Sequence, residues 1–83
     1  MTERRPPVGE EEAAFLAATG RKLRRLRSLR GVTRRDLARR SDVSERYIAQ
    51  IEAGAGNISI LLLRRIARSL GVALGELIGD APE

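Results

Sequence analysis

Apolar positions recur at helical spacing along most of the chain and break at glycine-bearing turns. From about Glu11 to Arg30, Leu16, Leu23 and Leu26 fall on one helix face, while Ala13, Ala14, Ala17 and Ala18 add propensity. Glu10 to Glu12 stand at the positive end of its dipole, where carboxylates stabilise the helix start while facing water, and Gly31 supplies the stop. Thr33 caps a second, short helix to Ser41: Asp36 offers a carboxylate to the first-turn amides, and Leu37 and Ala38 point inward. Asp42 and Val43 make a tight turn. Ser44 caps a third helix reaching about Ala53, with Ile48 and Ile51 inward, Tyr47 beside them and Gly54 ending it. Ala55 to Asn57 read as a loop, and Ser59 caps a fourth helix whose inner stripe is Ile60, Leu63, Ile66, Ala67 and Leu70, closed by Gly71. A last short turn, Leu74 to Ile78, packs Leu77 and Ile78 on the bundle, with Val72 stapling the connection. The apolar run Ile58 to Leu63 is ambiguous by composition alone, and the Ser59 cap with the continuing helical period decides for helix. The pattern is all-α.

Residues 1–10, with Pro6, Pro7 and Gly9, read as a flexible N-terminal arm, in which Arg4 and Arg5 are available to sweep a phosphate surface. Residues 11–79 form the folded domain and 80–83 a tail or linker. A chain of 83 residues has room for one small domain. Phe15 and Tyr47 are its only aromatics, so the core is aliphatic. The absence of cysteine and histidine excludes a disulfide framework and a thiolate metal site, and removes the commonest general base. Neither metal nor cofactor is expected, and a non-enzyme is. The acidic run Glu10 to Glu12 is better read as a helix start than as an acid/base or metal cluster.

The net charge of +5 is unevenly spread: residues 21–46 hold eleven basic and three acidic side chains. Every basic residue except Lys22 is arginine, whose planar fork suits phosphates and guanine edges, so nucleic acid is the favoured partner. No apolar run approaches the roughly 18 to 20 residues that span a bilayer, and the N-terminus lacks a signal-peptide pattern, so a cytoplasmic, DNA-associated protein without membrane contact is expected.

The second helix, the short turn and the third helix, residues 33–53, have helix-turn-helix spacing. Small Ala38 allows the two helices to cross closely, and Val43 and Ile48 plug the angle between them. With Gly20, Leu23, Leu26, Arg27 and Gly31 before it, and with Val43-Ser44, Ile51-Glu52, Gly54, Leu63, Ile66-Ala67 and Leu70, the stretch from about 19 to 78 resembles the Cro/phage-repressor (XRE) class of helix-turn-helix domains. The resemblance implies a lambda-repressor-like fold, a compact bundle of five helices. It also implies a repressor-type transcriptional regulator that docks residues 44–53 in the major groove of a pseudo-palindromic operator, usually as a homodimer. The run SERYIAQIEAGAGNISILLLRRIA resembles more finely the DNA-binding domain of benzoyl-CoA-responsive regulators of aromatic-acid degradation. Those regulators join such a domain to a shikimate-kinase-like effector domain. This chain ends at Glu83 without a GxxxxGK[ST] phosphate loop, so ligand sensing is expected in an effector domain or partner outside it.

Residue by residue, Ser44, Glu45, Arg46 and Gln50 match the family's base-reading positions. Arg46 suits a bidentate contact to guanine O6 and N7, and Gln50, one turn on, suits adenine N6 and N7. Glu45 either accepts from cytosine N4 or orients Arg46 or Arg35. Thr33 and Arg34 match a phosphate clamp at the start of the second helix, aided by its dipole, and Asn57 matches a second clamp. Tyr47 is expected to pack its ring on the core and turn its hydroxyl to a phosphate. Arg35 is a further phosphate candidate, while a solvated face is the competing reading for Arg35, Arg39 and Arg40. Glu52 matches a structural acid expected to tie the third helix to an arginine such as Arg27. The family often has glutamine at Arg34, proline at Ile58 and polar residues at Leu61 and Leu62. The extra apolar side chains Ile58, Leu61 and Leu62, with Leu74, point to a dimer interface.

An antitoxin-type module that binds DNA and masks a toxin is the alternative from another class. A membrane-active reading of the basic stretch fails because Leu23 and Leu26 are needed inside, and RNA recognition lacks stacking platforms.

Overall fold

The computed structural model describes residues 8–55 and 57–78. They form four α-helices: α1 (Val8–Leu29), α2 (Arg34–Ser41), α3 (Glu45–Glu52) and α4 (Ile60–Leu70), followed by a 3-10 turn at Leu74–Glu76. There is no strand among the described residues. The fold is all-α as expected, with four helices rather than five. The fifth element stops after one 3-10 turn, because Gly75 gives it little propensity and the Glu76 carboxylate bends back to accept the Ala73 N–H at 2.9 Å. No described helix is long and apolar enough to cross a membrane.

Short polar side chains start the inner helices. Thr33 Oγ1 accepts the Asp36 N–H at 3.0 Å, Ser44 Oγ accepts that of Tyr47 at 3.0 Å, and Ser59 Oγ accepts that of Leu62 at 3.4 Å, so each supplies an acceptor to an amide the helix leaves unpaired. Asp42 adopts the left-handed conformation at the end of α2, a position Asp tolerates better than most residues. Helix α1 begins at Val8 rather than near Glu11, so Gly9 and Glu10, read as arm, are helical. Glu10 and Glu11 lie in its first turn, where the dipole favours them. The remaining arm, 1–7 with Arg4 and Arg5, and the tail 80–83 lie outside the described residues.

Leu23, Leu37, Ile48, Ile51, Leu63, Ile66 and Leu77 are fully buried and come from all four α-helices and from the residue that follows the 3-10 turn. Helix α3 packs on α1 and α2, and α4 packs on α2 and the 3-10 turn. Ile60 departs from its expected inner position: it is 55% exposed, since it sits one residue past the Ser59 cap on an edge of α4 that its neighbours do not cover.

The α1–α3 crossing is set by backbone proximity. A Cβ on Gly20 would collide with the Ile51 carbonyl oxygen and lie 2.7 Å from that of Glu52. Gly54, at φ +71°, brings its α-carbon close to the backbone of Ala17, so the end of α3 rests in a notch cut by small residues of α1.

Beside this notch lies the one buried acid among the described residues. The Glu52 side chain has no exposed surface. Arg27 of α1 grips it twice, Nε to Oε2 at 2.7 Å and Nη2 to Oε1 at 3.0 Å, and donates Nη1 to the Val32 carbonyl at 3.1 Å. Arg34 of α2 donates Nε to Oε1 at 2.9 Å, and Arg24 stands 3.9 Å away. Burial pushes the Glu52 carboxyl up, but the hydrogen bonds from Arg27 and Arg34 and their charges outweigh it and leave the group below its ordinary value. The same hydrogen bond raises Arg27, against a smaller opposing effect of burial.

Two outcomes follow for stability. Gly20→Ala inserts a methyl where there is no room, and the expected loss of about 2 kcal/mol lowers the melting temperature by roughly 8 to 16 °C, read by circular dichroism. An unchanged or raised melting temperature would refute the close crossing. Glu52 titrates lower in the fold than in the unfolded chain, so its contribution is complete above the ordinary glutamate range near about 4.3 and fades as pH falls through the lower folded value. Glu52→Gln is expected to cost about 3 kcal/mol at neutral pH by leaving the part-buried Arg27 without its counter-charge. It should also flatten the acid loss measured between about pH 6 and about pH 3, and equal acid sensitivity in both proteins would count against the clamp.

Candidate nucleic-acid interface

Helix α3 divides into two faces. Ile48, Ile51 and Glu52 are buried, while Glu45, Arg46 and Gln50 are exposed, with Ser44 exposed at the cap. Arg46 and Gln50 are four residues apart and therefore neighbours on the outer face. All four expected base-reading residues are thus accessible, Ser44, Glu45 and Arg46 at the start of the helix and Gln50 one turn further along. Glu45 makes no ion pair among the described residues, so the buttress to Arg46 or Arg35 considered for it is not formed here. Ser44 has a second duty, since its hydroxyl oxygen already accepts the Tyr47 N–H, which leaves its proton and one lone pair for another partner. Ala49 is a position that motif reasoning passed over. It is half-buried on the same outer stripe, between Arg46 and Ala53, and its size keeps the backbone close to anything that covers the stripe.

Tyr47 fixes the register of this helix. Its ring packs against the core, and its hydroxyl accepts the Ser59 N–H at 2.6 Å, tying the first turn of α3 to the start of α4. The phenol proton stays available for an anion, and exposed Asn57 lies two residues before Ser59 in the same loop.

The other candidate anion contacts gather at the start of α2. Thr33 is exposed but uses its hydroxyl oxygen as the cap, and Arg35 is exposed. Arg34 differs from the expected free phosphate contact: its side chain is half-covered and its Nε is engaged by Glu52. Its terminal nitrogens carry the donors left for a ligand, so the arginine joins the frame to the surface. The spacing of 18 residues between Arg34 and Glu52 gave no local signal of this pairing. Arg39 pairs with Asp36 at 3.1 Å on the solvent side, in keeping with a solvated face.

The apolar residues expected at a dimer interface separate into two groups. Ile58, Leu62 and Leu74 are half-buried against the core, whereas Leu61 is 67% exposed and is joined by Ile60, which the sequence pattern had placed inside. The outward apolar patch is therefore Ile60 and Leu61 at the first turn of α4, edged by Ile58 and Leu62. Among the described residues no group of His, Cys, Asp and Glu has the arrangement to hold a metal ion.

Comparison with known proteins agrees with this geometry. Residues 23–77 match the helix-turn-helix family HTH_3. The chain is 33% identical over 64 residues to the uncharacterised HTH-type transcriptional regulator y4dJ of Sinorhizobium fredii, covering 77% of this chain and 83% of the relative. It is 34% identical over 62 residues to the control protein C.MunI of a Mycoplasma species, covering 74% and 84%. Among solved structures, the restriction-modification controller protein C.AhdI from Aeromonas hydrophila superposes with a TM-score of 0.75 at 31% identity, over 78% of this chain and 98% of that one. The relatives named here are regulators and controller proteins. With the tandem α2–α3 unit, an outward basic face and a family match over residues 23–77, the chain belongs to the helix-turn-helix family of DNA-binding transcriptional regulators.

Proposed function

We propose that the chain is a non-enzymatic, sequence-specific operator reader, acting in the cytoplasm as a homodimer that docks the N-terminal part of α3 in the major groove of a pseudo-palindromic site. The observation that carries this reading is the pair of exposed side chains Arg46 and Gln50, with half-buried Ala49 beside them, on a helix whose rotation is fixed from both ends, by Tyr47 to Ser59 and by Glu52 to Arg27. A reading helix needs that combination, since base contacts demand placement and phosphate contacts supply it. Arg46 reads guanine, Gln50 reads adenine, Glu45 accepts from cytosine, Ser44 donates to a base edge, and Ala49 leaves room for a thymine methyl. Thr33, Arg34, Arg35, Tyr47 and Asn57 hold phosphates on either side.

The homodimer forms through Leu61 and Ile60, with Ile58, Leu62 and Leu74 beneath, because exposed aliphatic side chains clustered on a small domain favour a two-fold apolar contact. It reads half-sites about 34 Å apart. Repression follows where such an operator overlaps a promoter. The finer resemblance of Ser44 to Ala67 to benzoyl-CoA-responsive regulators assigns effector sensing to a domain or partner beyond these 83 residues. On that assignment, benzoyl-CoA leaves the DNA affinity of this chain by itself unchanged.

The test is selection of bound sites from a random duplex library at near-physiological salt. A two-fold symmetric winner bound about a thousandfold above random DNA is expected, and binding without enrichment would overturn the reading. On that winner, Arg46→Ala should relax preference at one base pair per half-site, at a cost of about 1 to 3 kcal/mol, while Arg35→Ala should weaken all sequences alike and reduce the salt slope by about one. At high salt, Leu61→Glu is expected to convert the dimer to a folded monomer in sedimentation. An unchanged dimer would move the interface elsewhere.

A further inference from the structure

Helix α1 is longer than the bundle requires. It spans 22 residues, against 8 to 11 for the other three helices, and the family match begins only at Leu23. Every residue from Gly9 to Phe15 is exposed, and the first backbone approach to α3 comes at Ala17 and Gly20. Phe15, one of the two aromatics in the chain, is 42% exposed there. A projecting helix end gains nothing from the core and is marginal in water on its own.

The outward stripe of α1 has internal charge complementarity. Glu11, Ala14, Ala18 and Arg25 follow one another at spacings of three, four and seven residues, the repeat that keeps positions on one side of a helix packed along another. Glu11, Ala14 and Arg25 are exposed and Ala18 is half-buried. The acidic end, Glu10 to Glu12, repels phosphates, so nucleic acid is not its occupant. A basic helix face suits it, and the chain carries one on the same stripe.

We propose that the projecting half of α1 pairs antiparallel with α1 of a second copy, across a two-fold axis at Ala18 that sets Glu11 of each copy against Arg25 of the other. Ala14 and Ala18 let the two backbones approach, Phe15 covers the flank, and the opposed helix dipoles favour this orientation over the parallel one. The contact is distinct from the α4 patch, does not depend on the operator reading, and gives a protein that dimerises through α4 a way to join dimers to one another.

The experiment uses the full chain carrying Leu61→Glu, which leaves α1 as the surface under test. Sedimentation velocity over a concentration series at low salt is expected to show reversible self-association that high salt reverses. Glu11→Arg and Arg25→Glu should each weaken it by about tenfold, and the double charge swap should restore it, since each contact occurs twice across the axis. Arg25→Glu lowers the net positive charge, so general repulsion would predict the opposite sign for that variant. As the chain has no cysteine, Ala18→Cys gives an independent reading: mild oxidation should link two copies through Ala18→Cys and not through Ser28→Cys. A chain that stays monomeric at all concentrations, a double swap that does not restore association, or equal linking at both cysteine positions would overturn the proposal and leave the projecting helix to another protein.

Discussion

One carboxylate holds the bundle in its working shape. Glu52 sits at the last turn of the reading helix, and arginines reach it from the helix before the motif and from the helix that opens it. Removing such a group from water is unfavourable unless it is fully hydrogen-bonded, and here both oxygens are occupied. The hydrophobic core alone would tolerate small rotations of α3, because aliphatic packing has no direction. A buried fork of guanidinium donors does not, since turning the helix would strand a charge.

The second fixed point is at the opposite end. Tyr47 lies in the first turn of α3 and binds the amide of Ser59, so the residue that caps α4, two positions after Asn57, is tied to the helix. Between these points the outward residues are free of structural duty apart from Ser44. The arrangement separates holding from exposure: the inner face and both ends are engaged by protein, and the outer middle is left open to solvent. Arg34 is the place where the two overlap, with its Nε in the frame and its side chain partly exposed. A phosphate bound there would be in mechanical contact with the base-reading helix through a single carboxylate.

Much of this was legible in the sequence because the signals are local. Thr33, Ser44 and Ser59 each act on an amide three residues away, and the helical spacing of Ile48 and Ile51, or of Leu63, Ile66 and Leu70, states which side is buried. The failures have a common physical origin in contacts that depend on what lies alongside. Ile60 shares the period of the inner stripe yet is exposed, because periodicity gives a direction and cannot say where the neighbouring element ends. Arg34 carried the signal of a basic residue at a helix start, and the acid that captures it is distant in sequence. The last helix was expected from resemblance, whereas Gly75 and the returning Glu76 carboxylate make one tight turn the lower-energy solution.

The division of labour on α3 also bears on how such a protein changes over time. Substitutions at exposed positions that touch no cap, core or buried pair commonly alter stability by no more than about 0.5 kcal/mol. Glu45, Arg46 and Gln50 are such positions, so mutations there are screened almost solely by what the protein binds and hardly at all by whether it folds. Drift to a new operator can thus proceed through intermediates that remain folded, one base preference at a time. Ser44 is the exception, because a change that discards its hydroxyl loses the helix cap, and inheritance should hold that position more firmly than its neighbours.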